Sequence, residues 1–264
     1  MHGVLLTVAY DGSAFSGWAR QPGARTVEEV LEAALRSVDP EASRLRGVSR
    51  TDAGVHAEAQ AVGVDVSRDI DARGWVLATN AALPEDVAVR AARRVPVGLD
   101  PRDHAKKKRY RYRLLVDRVR SPLVRHRAWR VEHALDLERM AREAARLEGT
   151  HDFAAFRTSR DGREDTTRTI SRVSVEPPCA REGCAESGVL SVVVEGDRFM
   201  HNMVRILVGT LVDVARGRLP EETVLRAFEE GQRSVLGPTA PAHGLTLERV
   251  ELALPPGAEE PWPL

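Results

Sequence analysis

The chain has 264 residues, of which 42% are hydrophobic and 30% charged, and 39 lysines and arginines balance 39 aspartates and glutamates. This composition excludes a disordered or fibrous protein and fits one large or two modest globular domains. Zero net charge gives no sign of a nucleic-acid partner, so only a local cluster of cations could attract a phosphate backbone. The N-terminus lacks the pattern of a signal peptide and no apolar run reaches membrane-spanning length, so we expect a cytoplasmic protein without a membrane partner.

The first hundred residues have the hydrophobic periodicity of strand, helix, strand, strand, helix and strand. The first predicted helix carries one apolar stripe. Thr26 and Glu29, at its start, have the spacing of a capping box. The predicted strands cover residues 4–8, a run leading into Arg50, 61–66 and 87–91, and the predicted helices cover 26–38 and 70–79.

The same order returns after residues 96–101, a segment with the composition of a domain boundary. Residues 200–215 are the longest predicted helix, with seven apolar residues on one face. The other predicted elements are strands at 109–116, 170–175, 189–195 and 245–250, and helices at 136–147 and from 220 to before Gly231.

This repetition predicts an α+β fold of two ferredoxin-like halves, each a split β-α-β arrangement with an antiparallel sheet, joined around a central cleft. The expected halves are residues 1–100, which carry the polar loop described next, and 101–254. The acidic, Pro-rich tail at 255–264 is predicted to be disordered.

A polar loop between two apolar runs, residues 49–57, is the leading candidate for an active site. It places the carboxylate of Asp52 among small residues, with the cation Arg50 two positions earlier. Gly54 lets the backbone turn there or lets a ligand approach closely. Asp52 is thus a candidate nucleophile or base, although these residues alone also fit an ordinary turn.

Metal-binding patterns are incomplete. His56 follows Asp52 by four residues, but no third ligand lies at a suitable spacing, so His56 is predicted to be structural. Cys179 and Cys184 have neither a second cysteine pair nor a nearby histidine to complete a zinc site, which indicates two loop thiols. We expect no metal.

Cations concentrate between residues 102 and 130, where twelve lysines and arginines against two aspartates leave a local charge of +10. Strand alternation places Lys107, Arg109 and Arg111 on one face and Tyr110 with Tyr112 on the other. A charged run is often only a solvated face. The interleaved tyrosines favour RNA, because bases stack on aromatic rings while cations hold phosphates.

Residues 50–57, Arg-Thr-Asp-Ala-Gly-Val-His-Ala, resemble the signature of the tRNA pseudouridine synthase A family. Ser49 departs from the glycine usual in that family, and Leu99 and Asp103 depart from its aromatic residues. Further similar motifs follow in matching order and spacing: Tyr10-Asp11-Gly12, Gly17-Trp18, residues 80–84, Arg109-Tyr110-Arg111-Tyr112, His151-Asp152-Phe153, Arg168-Thr169-Ile170, residues 199–205 and His243-Gly244-Leu245.

The resemblance implies an isomerase that converts uridine to pseudouridine in the anticodon stem-loop of tRNA, at positions 38 to 40. It implies that Asp52 is the nucleophile, that Arg205 pairs with it, and that Tyr110 covers one face of the flipped uracil. Arg50 is a further candidate for substrate binding. The reaction involves no redox change or hydrolysis, so no cofactor is expected, and the family implies a homodimer that binds tRNA.

Two other hypotheses stay open. One is an RNA-binding or RNA-folding protein that keeps this fold without catalysis. The other is a metal-dependent nuclease that uses Asp52 with His56.

Overall fold

The computed structural model describes residues 1–158, 164–178 and 188–262. The chain forms two compact units, one of residues 1–106 with 247–264 and one of residues 107–246. The expected α+β class and the mostly antiparallel strand pairing are confirmed. The predicted halves at 1–100 and 101–254, and a cleft between them, stay predictions. Cys179 and Cys184 lie outside the described residues.

Ten strands and six α-helices are present in the described part of the chain. The strands are β1 (His2–Tyr10), β2 (Arg46–Gly47), β3 (His56–Val66), β4 (Val87–Val95), β5 (Ala105–Val116), β6 (Trp129–Val131), β7 (Gly149–Asp152), β8 (Thr167–Glu176), β9 (Val189–Gly196) and β10 (Leu245–Leu252). The α-helices are α1 (Val27–Val38), α2 (Ala72–Ala82), α3 (Pro101–His104), α4 (Leu137–Ala145), α5 (Met203–Ala215) and α6 (Thr223–Glu230). None of these helices is long and apolar enough to cross a membrane.

In the first unit the strand order is β4, β1, β3 and β10, and the short β2 pairs with β3. Strand β1 runs antiparallel to both β4 and β3, with Leu6 opposite Ala92 on one side and Val62 on the other. A first strand between the third and fourth strands is the split β-α-β arrangement expected from the sequence.

Helix α1 buries the apolar stripe that the sequence predicted, including Leu31 and Leu35. The predicted capping box is wrong, because the Thr26 side chain makes no capping hydrogen bond. The first N–H groups of the helix donate instead to backbone carbonyls: Val27 to Gly17 at 3.2 Å and Glu28 to Trp18 at 3.0 Å. The segment that precedes α1 therefore satisfies the helix end.

The C-terminal tail is ordered as far as the structure describes it, in contrast to the predicted disorder. Trp262 exchanges two backbone hydrogen bonds with Ala92 on β4, at 2.8 and 2.9 Å. Leu254 and Ala258 pack on a buried cluster that includes Leu5. The apolar residues of the tail thus cover part of the sheet, which the Pro-rich composition did not reveal.

In the second unit the strand order β5, β9, β8 and β7 is antiparallel throughout, and β6 pairs in parallel with β5. The sequence did not predict β6 and β7, since three or four residues carry too little periodicity. Helix α5 begins at Met203, three residues later than predicted, because Asn202 has a left-handed φ of 61° that interrupts the helix.

Asp39 fastens the end of α1 to the segment that follows β3. Its buried carboxylate accepts hydrogen bonds from the N–H and hydroxyl of Ser67 at 2.6 and 2.8 Å, and from the N–H groups of Arg68 and Glu41 at 3.1 Å. Burial alone raises the pKa of Asp39, but these hydrogen bonds to the ionised form outweigh it and leave the pKa below its ordinary value.

We expect Asp39→Asn to lower the free energy of unfolding by about 2 kcal/mol at neutral pH, because hydrogen bonds to a charged acceptor are lost. A depressed folded-state pKa stabilises the protein above the unfolded pKa of about 3.9, and this contribution fades as pH falls through the folded pKa. Urea unfolding at several pH values should therefore show the difference between variant and wild type shrinking below about pH 4. A constant difference across that range would contradict the role of the ionised carboxylate.

Candidate active site

The loop between β2 and β3 presents Asp52 at a turn. The N–H of Val55 donates to the Asp52 carbonyl at 3.1 Å, and Gly54 adopts a φ of +80°, so this glycine does turn the backbone. Thr51 and Val55 are buried on either side, whereas Asp52 is partly exposed. The loop therefore offers one accessible carboxylate between two anchored neighbours. Arg50 is exposed at the start of this turn.

The segment that follows β1 lies against this loop, backbone on backbone. A Cβ atom on Gly17 would lie 2.7 Å from the Thr51 carbonyl oxygen, and one on Gly12 would lie 2.0 Å from that of Val55. Trp18 donates its N–H to the same Thr51 carbonyl at 3.1 Å. Only glycine permits such approaches, so the two sequence motifs at 10–12 and 17–18 form the support of the Asp52 loop.

Two buried side chains clamp the chain just before Asp52. The hydroxyls of Tyr10 and Thr51 are hydrogen-bonded at 2.8 Å. Gln60 is fully buried, and its amide accepts from the Ser49 N–H at 3.2 Å and donates to the Ser49 carbonyl at 2.6 Å. Sequence reasoning missed both clamps, although a glutamine inside the apolar run of β3 was a signal for the second.

His56 supports the loop from the other side. Its buried Nδ1 lies 3.1 Å from the Gly12 N–H and 3.2 Å from Oδ1 of Asp11. These contacts exclude each other as hydrogen bonds, since Nδ1 accepts in the first and would donate in the second. A backbone N–H can only donate, so we assign the first. No three His, Cys, Asp or Glu side chains within 1–158, 164–178 and 188–262 are grouped to hold a metal.

Tyr110 belongs to the second unit, on β5 opposite Val194. Its ring meets Phe199 edge to face, with centroids 5.2 Å apart and 83° between the ring planes. The residue is only 8% exposed. A base could stack on this ring only after displacing a neighbour or by using its small open part. Phe199, which belongs to the sequence motif at 199–205, orients the tyrosine through this contact.

Arg205 lies in the first turn of α5, where two hydrogen bonds fix its guanidinium. Nε donates to the Ala240 carbonyl at 2.8 Å, and Nη1 donates to Oδ1 of Asn202 at 2.6 Å. Asn202 holds a left-handed conformation that costs a residue with a side chain some strain, and its amide binds Arg205 instead of capping the helix. Asp52 is in the other unit, and its pairing with Arg205 stays a prediction.

Tyr112 lies deeper in the same unit and is structural. Its hydroxyl donates to the Pro241 carbonyl at 2.7 Å, and the Tyr112 ring would meet a Cβ on Gly244 at 2.6 Å. Burial raises the pKa of Tyr112 far above its ordinary value, against the opposing effect of the Arg205 charge. The hydroxyl therefore stays neutral and acts as a hydrogen-bond donor.

The predicted cationic face of β5 exists, but carboxylates from β9 and from β8, the next strand beyond it, lie within it. Lys107 lies 3.6 Å from Glu195, and Arg109 lies 3.7 Å from Glu195 and 3.8 Å from Glu176. Arg111 pairs with Glu176 at 2.5 Å. The sequence could not show these contacts, since Glu176 and Glu195 lie more than sixty residues away along the chain.

These cations and Tyr110 lie on opposite faces of β5, as the alternation predicted. Tyr110 and Tyr112 are buried, whereas Lys107, Arg109 and Arg111 are partly exposed. A base stacked on Tyr110 and a phosphate held by these three cations would therefore lie on different sides of the sheet. As RNA contacts, Lys107, Arg109 and Arg111 stay a prediction.

Gly17→Ala should destabilise the support of the Asp52 loop, because the added methyl group would overlap the Thr51 carbonyl. The matched control is Gly23→Ala: Gly23 also has a positive φ, yet nothing lies within 4 Å of its Cβ position. We expect Gly17→Ala to lose about 2 kcal/mol more free energy of unfolding than the control, the usual cost of overpacking. Equal losses in urea titrations would show that backbone strain alone matters.

Residues 6–101 and 144–252 match the family model described as tRNA pseudouridine synthase. The tRNA pseudouridine synthase A of Pelobacter propionicus is 42% identical over 247 residues, which cover 94% of this chain and 98% of that protein. Those of Citrifermentans bemidjiense and Acetivibrio thermocellus are 40% and 38% identical, over 95% of this chain and 97% and 99% of theirs. The chain therefore belongs to the tRNA pseudouridine synthase family.

Proposed function

We propose that this protein is an isomerase that converts uridine to pseudouridine in tRNA, with Asp52 as its nucleophile. The observation that carries the proposal is the placement of Asp52: a partly exposed carboxylate on a turn whose two flanks are buried. This turn falls within the segment that matches the family model. An RNA-binding protein without catalysis would not require a loop held so firmly around one carboxylate.

The reaction exchanges bonds within one nucleotide. The N1–C1′ bond of uridine breaks, C5 bonds to C1′, and the hydrogen at C5 leaves as a proton to solvent while N1 gains one. Asp52 acts by attack on C1′, by attack on C6 or by assisting a glycal intermediate. Atoms and electrons balance without an oxidant or a hydrolytic water.

Other residues are proposed for substrate contact. Arg205 is the cation proposed to favour the ionised, nucleophilic form of the aspartate, and its two hydrogen bonds preset the guanidinium for such a role. Tyr110 is proposed to cover a face of the extruded uracil, and the exposed Arg50 to contact the substrate beside Asp52. Extrusion of the base costs a few kcal/mol, which these contacts offset.

The finer points of the proposal concern the substrate and the assembly. We propose uridines of the anticodon stem-loop, at positions 38 to 40, as the targets, a homodimer as the working form, and the cytoplasm, where tRNA is found, as the place of action. The family resemblance supports each of them.

The first test is the release of tritium from tRNA labelled at uridine C5, in buffer with a chelator. The wild type should release tritium, and Asp52→Asn should abolish release while tRNA binding stays nearly unchanged, because the amide keeps the shape and removes the charge. Asp103→Asn, at an exposed position outside the loop, serves as the control and should behave as wild type.

Wild-type release by Asp52→Asn would exclude Asp52 as the nucleophile. Binding without release by the wild type would favour the RNA-binding alternative. Cleavage of the tRNA chain that occurs only without the chelator would favour the metal-dependent nuclease.

The hydrogen bond between Tyr10 and Thr51 should act on catalysis through the position of Asp52. Tyr10→Phe and Thr51→Val each remove it, and we expect about a tenfold loss in kcat with little change in KM, since small displacements of a reacting group are costly. The double variant should lose no more than either single variant, because both lose one shared contact. Additive losses in a full kinetic cycle would show that the two side chains act separately.

A further inference from the structure

The connection between β5 and β6 forms an exposed, positively charged surface. We define the basic loop as residues 117–128, which contain four arginines and one aspartate and therefore carry a formal charge of +3 in a chain of zero net charge. All four arginines are exposed: Arg118, Arg120, Arg125 and Arg127.

The basic loop is anchored at its base. Strand β6 pairs in parallel with β5, which places Trp129 opposite Leu114 and closes the loop. Val124 packs on a buried cluster that contains Leu115 and Ala128, and it accepts a hydrogen bond from the Ala128 N–H at 3.0 Å. The arginines thus project from a fixed support, which lowers the entropy lost when they bind a ligand.

Three of these cations lack a carboxylate partner. Arg118, Arg120 and Arg125 form no ion pair with any residue of the described ranges, in contrast to Lys107, Arg109 and Arg111 on the preceding strand. Nearby, Arg130 is paired with Glu132. The Arg125 Nε donates to Nε2 of His126 at 2.8 Å, which leaves its other N–H groups for an external anion. The charge of these three guanidinium groups is therefore not offset by a carboxylate of the described residues.

The basic loop also lies outside the segments that match the family model, which stop at residue 101 and resume at residue 144. Tyr110 lies six residues before the end of β5, a distance of about 20 Å along a strand. The loop is therefore distant from the ring proposed to contact uracil.

We propose that the basic loop binds the phosphate backbone of tRNA, away from the nucleotide that reacts. The inference rests on the proposed function for the identity of the RNA. Arginine matches phosphate oxygens in geometry as well as in charge, and release of counterions drives such binding. Because the contact reads no base, it would strengthen binding of tRNA without selecting among sequences.

A protein partner is the competing occupant, because Val119 and Leu123 are 69% and 83% exposed. Two copies of the basic loop facing each other would place +3 against +3, which opposes a symmetric contact. Charge complementarity therefore favours the polyanion.

The test compares two triple variants with the same change in net charge. Arg118→Gln, Arg120→Gln and Arg125→Gln neutralise the loop. The control, Arg36→Gln, Arg142→Gln and Arg226→Gln, removes three arginines that are 51 to 53% exposed and paired with carboxylates. Binding of an unmodified tRNA transcript is measured by filter retention over a range of salt concentrations.

We expect the loop variant to bind about tenfold more weakly near 0.1 M salt and to lower the slope of log affinity against log salt by about two, as the loss of three phosphate contacts requires. The control should keep the wild-type slope. Replacement of the same three loop arginines by lysine should keep most of the slope, which separates lost charge from a disturbed fold.

An unchanged slope in the loop variant would overturn the inference. A second result would also overturn it: Leu123→Ser and the loop variant both bind tRNA normally but no longer self-associate. That result would assign the surface to a protein partner. Tritium release by the wild type is scored separately, so a missing release with a lowered slope would reject the proposed function and keep the RNA contact.

Discussion

The close approach of the 10–18 segment to the Asp52 loop is the constraint on which the candidate site depends. Gly12 and Gly17 bring two stretches of backbone into direct contact, so that the loop is positioned by main-chain atoms. The same segment supplies the carbonyls of Gly17 and Trp18 that receive the first N–H groups of α1. A single connection therefore holds the loop and starts the helix. A side chain cannot replace hydrogen at either glycine, because its Cβ would overlap a carbonyl group of the loop.

The distribution of carboxylates, more than the number of cations, determines where the surface can bind an anion. Along β5 the alternating cations face Glu176 and Glu195, so part of their charge is neutralised inside the sheet. A few residues later the chain leaves the sheet, and Arg118, Arg120 and Arg125 of the basic loop form no ion pair with a carboxylate of the residues that the structure describes. The local charge of the sequence is positive in both stretches. Only the pairing of the strands shows that the cations on β5 lie beside carboxylates.

The same distinction decides what the sequence could predict. Amphipathic periodicity predicted α1, α4 and α5, and the motif around Asp52 predicted the loop, because these features depend on neighbouring residues. Other features depend on contacts between segments that are separated along the chain. They are the hydrogen bonds of Gln60 with Ser49, the pairing of Trp262 with Ala92 and the missing Thr26 cap. The late start of α5 follows from one backbone angle at Asn202, for which asparagine gives only a weak signal.

Each unit holds its own candidate active-site side chain in place through hydrogen bonds. In the first, Tyr10 and Gln60 fix the residues before Asp52, so the carboxylate needs little rearrangement to act. In the second, the strained Asn202 accepts a hydrogen bond from Arg205, whose Nε also binds the Ala240 carbonyl. A long, flexible arginine side chain held in this way loses less conformational entropy when its guanidinium group binds an anion. The left-handed conformation of Asn202 thus accompanies a hydrogen bond that orients the Arg205 cation.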